Sequence, residues 1–98
     1  MLRYHPEFWK DVEACFTTLR DARPRSAREF GEELLALIEH IREFPGAGVE
    51  VRKHVRRTML RRFHYLVYYR ARSDGIELLG LVHGMRDVAK WLGDRLRA

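Results

Sequence analysis

The residues best able to do chemistry in this sequence are the cations of one segment, residues 52–72. The segment contains eight Lys and Arg side chains and no carboxylate: Arg52, Lys53, Arg56, Arg57, Arg61, Arg62, Arg70 and Arg72. Seven of the eight are arginine, whose planar guanidinium group binds phosphate or carboxylate through two hydrogen bonds at once. The pattern predicts an anionic partner, although a solvated charged face on an ordinary domain would have the same composition.

The charge of the chain is unevenly distributed along its length. Residues 1–50 contain 7 Lys and Arg against 10 Asp and Glu, a net charge of −3. Residues 51–98 contain 12 against 4, a net charge of +8, and the whole chain carries +5. This asymmetry indicates that the second half provides the binding surface. We assign to that basic surface Arg52, Arg56, Arg57, Arg61, Arg62 and Arg86.

The other reactive side chains favour packing over chemistry. None of the five histidines forms a close ligand pair such as His-x-x-x-His, so we expect neither a metal nor another cofactor. Cys15 falls on the apolar face of a predicted helix, which predicts a core residue. The three tyrosines of segment 65–69 could stack on bases, but their place in an apolar strand favours the core. Trp9 and Trp91 are candidate aromatic contacts for a partner.

The first half of the chain must fold as a helical hairpin. Apolar residues recur at helical spacing from Pro6 to about Ala22, and the segment 23–25 ends this helix because Pro24 excludes the helical conformation from the residue before it. A second helix is predicted to start at a capping box formed by Ser26 and Glu29 and to end at a Gly-containing loop, residues 45–50. The hairpin cannot cover both of its apolar stripes by itself, so it must pack on another layer.

The second half predicts that layer. Residues 55–60, 65–69 and 76–82 are rich in β-branched and aromatic side chains and should form three strands in a meander. The 65–69 strand is apolar on both faces and is therefore predicted to be interior to the sheet. A short strand at residues 2–5 begins the chain, and a helix beginning near Arg86 ends it, with its apolar face formed by Val88, Trp91, Leu92 and Leu96.

These elements define an α+β fold class. The predicted architecture is an N-terminal short strand and a helical hairpin packed on a small, mostly antiparallel sheet, in the order strand-helix-helix-strand-strand-strand-helix. The 98 residues are expected to form a single domain, 1–98, with one core. A hydrophobic content of 46% is too high for a disordered chain.

Composition also constrains the cellular location. The longest uninterrupted apolar runs are five residues, far short of the roughly 20 needed to cross a bilayer. The start of the chain has no apolar stretch of the signal-peptide kind. The single cysteine excludes an internal disulfide and fits a reducing compartment. We therefore expect a cytoplasmic protein with no membrane partner.

Several short motifs are similar, in order and spacing, to those of a known family. The motifs are Arg56-Arg57, Phe63-x-Tyr65, Tyr68-Tyr69 and His83-x-x-Arg86-Asp87, followed by Trp91. Together with Tyr4, Pro6 and the Phe44-Pro45 helix stop, they extend over nearly the whole chain. The pattern resembles the ParE branch of the RelE/ParE superfamily, the toxins of type II toxin–antitoxin modules. One difference is His64, which stands where the family usually has proline.

The resemblance implies a toxin that arrests growth when free and is held inactive by a cognate antitoxin. ParE-like members are described as poisoning DNA gyrase, with no chemistry of their own. Antitoxins of such modules typically offer an acidic, partly disordered segment, which the +8 half of this chain would attract. The resemblance therefore implies two partners, an antitoxin in a hetero-oligomer and DNA gyrase as the target.

The alternative that the resemblance leaves open is a RelE-like endoribonuclease that cuts messenger RNA on the ribosome. Its candidate catalytic residues would be Arg57, Arg62, His83 and Arg86. Attack by a ribose 2′-OH needs a base, an acid and cations around the phosphate, and arginine can supply only the cations. RelE-like nucleases usually carry a tyrosine near the C-terminal segment, whereas no tyrosine follows Tyr69 here. His83 is then the only candidate acid or base, and a structural role for it is simpler. We favour a toxin that acts by binding.

Overall fold

The computed structural model describes residues 1–84 and 87–97. The elements of this part of the chain are β1 (Leu2–Tyr4), α1 (Phe8–Ala22), α2 (Pro24–Glu43), β2 (Val49–Arg52), β3 (Val55–Met59), β4 (Tyr65–Arg72), β5 (Gly75–His83) and α3 (Ala89–Arg97). The predicted α+β class and the predicted order of elements are confirmed, with one additional strand.

The strands form one sheet in the order β1-β5-β4-β3-β2. β1 pairs parallel to β5, and the other pairs are antiparallel. β4 lies between β3 and β5, as its apolar pattern predicts, and Val67, Tyr68 and Tyr69 are each at most 1% exposed. A strand with two apolar faces requires a layer on each side of the sheet, and the helices provide both layers.

The helical hairpin, α1 and α2, covers one face of the sheet. Its apolar stripes contribute Phe8, Phe30 and Leu34, which pack with Val67 and Leu78 of the sheet in the larger core cluster. The alternation of β4 sends Tyr68 to the opposite face. There α3 contributes Leu92 to a second cluster, together with Val55, Tyr68, Leu79 and Val82. The sheet therefore separates two apolar cores, so the expectation of one core was wrong: a two-faced sheet buries side chains on each side.

The prediction that residues 45–50 form only a loop was wrong at its end. Val49–Arg52 is a strand, β2, which pairs antiparallel with β3 at the edge of the sheet. The sequence of β2 does not predict a strand, because only Val51 packs against a core cluster and Val49 remains 61% exposed. Pairing with β3 rather than local apolar pattern is what makes this segment a strand.

The predicted helix starts need three corrections. α1 begins at Phe8, because Pro6 and Glu7 form a turn before it. α2 begins at Pro24 after an extended Arg23, with no side-chain cap, so the predicted capping box of Ser26 and Glu29 is wrong. Proline at the first helical position is favourable in itself, and it moves the start two residues upstream of Ser26. α3 begins at Ala89 rather than near Arg86, a residue that lies outside the described part.

A bulge in β5 shapes the face that α3 covers. The register shifts so that Gly80 opposes Tyr68 while Leu78 opposes Tyr69, which leaves Leu79 as the extra residue. Because Gly80 has no side chain, the ring of Trp91 and the guanidinium of Arg95 lie directly against the strand. The bulge therefore seats α3 on the sheet.

Candidate functional site

The two adjacent arginines of β3 point to opposite faces of the sheet, because side chains alternate along a strand. Arg56 lies on the hairpin side, where its Nη1 donates a hydrogen bond to the Gly48 carbonyl at 2.7 Å. The same loop is held by Tyr69, whose hydroxyl donates to the Pro45 carbonyl at 2.8 Å and accepts the Gly48 N–H at 3.1 Å. Arg56 is thus a structural cation that fixes the loop before β2.

Arg57 lies on the α3 side of the sheet, where its strand neighbour in register, Tyr68, also points. It lines an open groove of about 470 Å³ beyond the part that α3 covers, together with Val49, Met59 and Leu66. We call this the sheet groove. Val49 is 61% and Met59 54% exposed, and no ion pair of Arg57 occurs among the described residues. The groove combines an apolar floor with an uncompensated cation.

The loop between β3 and β4 carries the next two arginines in different surroundings. Arg62 donates from Nη1 to Glu29 of α2 at 2.8 Å, its Nε lies 3.7 Å from Glu33, and its backbone N–H donates to Glu33 at 3.2 Å. Two hairpin carboxylates therefore compensate its charge. Arg61 is exposed and lines a separate cleft of about 440 Å³ between α2 and β3. Arg62 is tied to the hairpin, whereas Arg61 faces solvent.

The structure spreads the predicted basic surface over several places. Arg52 lies at the end of β2, far along the sheet edge from Arg61, and lines a different cavity from Arg57. Arg56 and Arg62 are engaged by the loop and the hairpin, so Arg52, Arg57 and Arg61 are the free cations of the predicted set in the described residues. Arg86, the sixth member, lies outside that part of the chain.

Three of the four candidate nuclease residues, Arg57, Arg62 and His83, lie in the described part of the chain. Arg57 lies on the α3 side of the sheet, while Arg62 is bound by α2 on the other side. His83 is exposed at the end of β5, with its ring 5.6 Å from that of Tyr65, edge to face. The fourth candidate, Arg86, lies outside the described residues. The two described arginines are therefore not placed to bind one phosphate together.

Tyr65 is directed into the protein rather than towards His83 as a proton donor. Its hydroxyl lies beside the thiol of Cys15 in α1, and both side chains are partly buried against the larger core cluster. Burial raises the pKa of Tyr65, and the neighbouring Cys15 raises it further. Burial also raises the pKa of the Cys15 thiol, opposed by the hydrogen bond from Tyr65. Both groups stay protonated at neutral pH, and Cys15 packs against the core as predicted.

The aromatic residues divide into a core set and an exposed set. Tyr68 and Tyr69 are each 1% exposed, which confirms the prediction that they pack in the core. Trp9 is 46% exposed at the start of α1, where its ring lies 5.2 Å from that of Tyr4. Trp91 is half-buried, with its ring 5.5 Å from that of Tyr68. Trp9 is therefore the more exposed of the two candidate aromatic contacts.

The most extensive polar contact of the described chain joins Asp11 and Arg95, neither of which is among the predicted site residues. Arg95 of α3 donates from both terminal nitrogens to the two carboxylate oxygens of Asp11 in α1, at 2.7 and 2.8 Å. Asp11 also accepts the N–H of Leu81, and Arg95 also donates to the Leu79 carbonyl. One feature of the sequence points to this contact: Asp11 is a carboxylate on the apolar face of α1, which it shares with Phe8 and Cys15.

Among residues 1–84 and 87–97, no group of three or more His, Cys, Asp or Glu side chains is placed to hold a metal ion. Over the same residues, no helix has both the length and the apolar composition required to span a membrane.

The comparisons with known proteins define the class of protein, a toxin of a toxin–antitoxin module. The solved structure described as the chromosomal ParDE TA system from P. aeruginosa has the same fold, with a TM-score of 0.73 at 17% identity, over 84% of this chain and 92% of that chain. The family model for the ParE toxin of type II toxin–antitoxin systems, parDE, matches residues 2–88. Toxin ParE2 of Mycobacterium tuberculosis, in strains CDC 1551 and H37Rv, is 32% identical over 87 residues, 88% of this chain and 83% of that protein.

The chain therefore belongs to the ParE toxin family of type II toxin–antitoxin systems. The predicted resemblance is confirmed.

Proposed function

We propose that this toxin arrests growth by binding DNA gyrase, without chemistry of its own. The observation that carries the non-catalytic part is the separation of Arg57 and Arg62, which lie on opposite sides of the sheet. A ribonuclease would need such cations around one phosphate. Gyrase as the target comes from the family resemblance, and because gyrase is a cytoplasmic enzyme the proposal also places this chain in the cytoplasm.

The antitoxin, in this proposal, binds the sheet groove and the neighbouring edge strand β2. The groove offers the exposed side chains of Val49 and Met59 beside the uncompensated Arg57, which suits a segment that is apolar on one side and acidic on the other. β2 is at the edge of the sheet, so its outer backbone groups are available to an added strand. A partly disordered acidic segment could supply both contacts as it folds.

Charge reversal at the groove tests the antitoxin interface. Arg57→Glu should weaken antitoxin binding by about tenfold or more at low salt, since it places a carboxylate against an acidic segment. The matched control is Arg28→Glu, which makes the same charge change on the exposed face of α2. The antitoxin affinity of Arg61→Glu tests whether the interface extends from the groove to the loop between β3 and β4. Arg62 is unsuitable because its substitution would disturb Glu29 and Glu33. Equal affinities for the Arg57 and Arg28 variants would remove the groove from the interface.

Three measurements on the free toxin separate the target hypotheses. We expect inhibition of gyrase supercoiling in a purified system, a DNA damage response in cells, and intact messenger RNA. His83→Ala should keep this toxicity if the protein acts by binding. Codon-linked cuts in messenger RNA that disappear in His83→Ala would instead establish the RelE-like alternative, with the ribosome as target, and refute the proposal.

A further inference from the structure

A second cluster of cations lies at the opposite end of β2 from the sheet groove. The turn between β2 and β3 consists of Lys53 and His54, and it forms one wall of a cavity of about 460 Å³. Arg70 and Arg72, from the end of β4, form the other wall, and Arg52 completes the basic lining. We call this the turn cavity. None of the residues that line it is an Asp or Glu.

Sheet register places these cations on one face. Arg52 pairs with Val55, and Val55 pairs with Arg70, so the three form a row across β2, β3 and β4. Residues that pair in register point to the same face, and Val55 packs in the core under α3. Arg72 lies two residues beyond Arg70 on the same strand and so shares that face. The cations therefore cover the α3 side of the sheet next to Leu96, near the end of α3.

Three of the four cations carry charge that no described residue compensates. Arg70 is held by Glu77 at 2.7 Å, while its Nε is buried and has no hydrogen-bond partner among the described residues. Arg52, Lys53 and Arg72 are exposed and form no ion pair within residues 1–84 and 87–97. Like charges held this close together repel one another. Binding of an anion relieves the repulsion and is therefore favourable.

The turn itself holds this arrangement in place. His54 has a φ of 67°, the left-handed conformation, and its carbonyl accepts the N–H of Ala71 at 2.9 Å. This bond joins the turn to β4, so the wall that carries Lys53 is fixed against the wall that carries Arg72.

We propose that the turn cavity binds the phosphate backbone of duplex DNA. It offers cations and hydrogen-bond donors but no exposed apolar anchor, because Val55 is 2% exposed and Leu96 is half-buried. Protein partners usually need such an anchor, whereas phosphate oxygens need only the donors, which arginine presents as a planar fork. The choice of DNA rests on the proposed function, since the substrate of gyrase is duplex DNA. The toxin would then contact the enzyme and its DNA together.

The test is the salt dependence of binding to a short labelled DNA duplex of arbitrary sequence, with the full chain free of antitoxin. Three phosphate contacts should give a slope of log K against log salt of about −2.7 between about 50 and 200 mM salt. The triple variant Arg52→Gln, Lys53→Gln, Arg72→Gln should lose at least about tenfold in affinity and flatten the slope by about 2 to 3. Each single variant should flatten it by about 1.

The matched control is the triple variant Arg23→Gln, Arg25→Gln, Arg28→Gln, which removes the same charge from exposed positions around the start of α2. It should change the slope by less than about 1. Equal losses in the two triple variants, or an unchanged slope in the first, would overturn the site. Loss of antitoxin affinity with unchanged DNA binding would also overturn it, because the occupant would be an acidic peptide. Circular dichroism checks that both variants remain folded.

Gyrase assays keep this proposal separate from the proposed function. If the toxin inhibits supercoiling and the turn-cavity variant does so equally well, with equal DNA affinity, the cavity proposal fails while the gyrase proposal stands. If the toxin leaves supercoiling unaffected but binds DNA through the cavity, the gyrase proposal fails and the DNA site stands.

Discussion

Asp11 and Arg95 join the two helical layers across the edge of the sheet. Their side chains are only 17% and 13% exposed, and two charge-assisted hydrogen bonds connect them. β1 covers the edge of β5 only as far as Leu78, and beyond it Asp11 accepts the N–H of Leu81. The pair therefore satisfies an otherwise open strand edge and fixes α3 relative to α1.

Removal of the Asp11 charge should destabilise the protein strongly. In Asp11→Asn, Arg95 keeps its charge in a mostly buried place without a counter-charge, which should lower the free energy of unfolding by about 2–4 kcal/mol. Urea unfolding measures this loss. The matched control is Asp94→Asn, which breaks the exposed pairs with Lys90 and Arg97 and should change stability far less. Similar losses in both variants would show that the Asp11 pair contributes no more than a surface ion pair.

Gly80 should tolerate no side chain. A Cβ there would lie within 3.0 Å of the Trp91 ring, of the Arg95 guanidinium and of an Asp11 oxygen. Gly80→Ala should therefore cost about 1–3 kcal/mol and displace α3. Trp91 fluorescence in a Trp9→Phe background reports the displacement. Gly93→Ala is the opposite control, because a Cβ at Gly93 in α3 meets nothing within 4 Å. Gly93→Ala should raise the free energy of unfolding by about 0.5–1 kcal/mol. A Gly80→Ala variant with unchanged stability and unchanged Trp91 fluorescence would contradict the packing of α3 on Gly80.

Tyr69 should stabilise the loop before β2 through its hydroxyl. Tyr69→Phe leaves the Gly48 N–H and the Pro45 carbonyl without their partner, at an expected cost of about 1–3 kcal/mol in the free energy of unfolding. Hydrogen exchange of the Gly48 amide should accelerate as well. The control is Tyr4→Phe, whose side chain is 39% exposed, and it should leave both measurements nearly unchanged. Slow exchange at Gly48 in Tyr69→Phe would show that Arg56 alone fixes the loop.

Stability should decrease in alkaline solution, partly through Tyr69. Burial raises the pKa of Tyr69, although the Gly48 N–H and Arg56 oppose the shift. The folded protein then holds the phenolic proton more tightly than the unfolded chain. The corresponding stability is fully present below the unfolded pKa of about 10 and is lost as pH rises through the higher folded pKa. Urea unfolding from about pH 8 to about pH 11 should show this decrease, with a smaller slope in Tyr69→Phe. Identical slopes would contradict the raised pKa.

His54 should be replaceable by glycine with a gain in stability. A residue with a Cβ in the left-handed conformation, such as His54, costs about 1–2 kcal/mol of stability. Glycine removes that cost, but part of the gain is offset because glycine has more conformational entropy to lose from the unfolded chain. We expect a net gain of up to about 1 kcal/mol, which corresponds to a Tm increase of roughly 4–8 °C. His54→Ala keeps the backbone cost and should show no gain. A gain in the alanine variant would attribute the effect to the imidazole instead.

Local periodicity explains which elements could be predicted. The apolar stripes of α1 and α2 and the two-faced pattern of β4 depend on residues a few positions apart, and each is confirmed. β2 was not predicted because only one of its four residues, Val51, packs against a core. Its strand conformation depends instead on pairing with β3. The Ser26 cap failed because Pro24, at the first helical position, starts the helix earlier.

The sequence by itself determined the layers, the family motifs and the net charge of each half. Only the tertiary structure decided which charges remain free. Arg62 meets Glu29 across 33 residues, and Arg95 meets Asp11 across 84, although residues 52–72 contain no carboxylate. A charge is compensated by whatever packing brings within a few ångströms, and sequence spacing does not record that distance. Within residues 1–84 and 87–97, folding therefore leaves Arg57 uncompensated in the sheet groove, and Arg52, Lys53 and Arg72 uncompensated in the turn cavity.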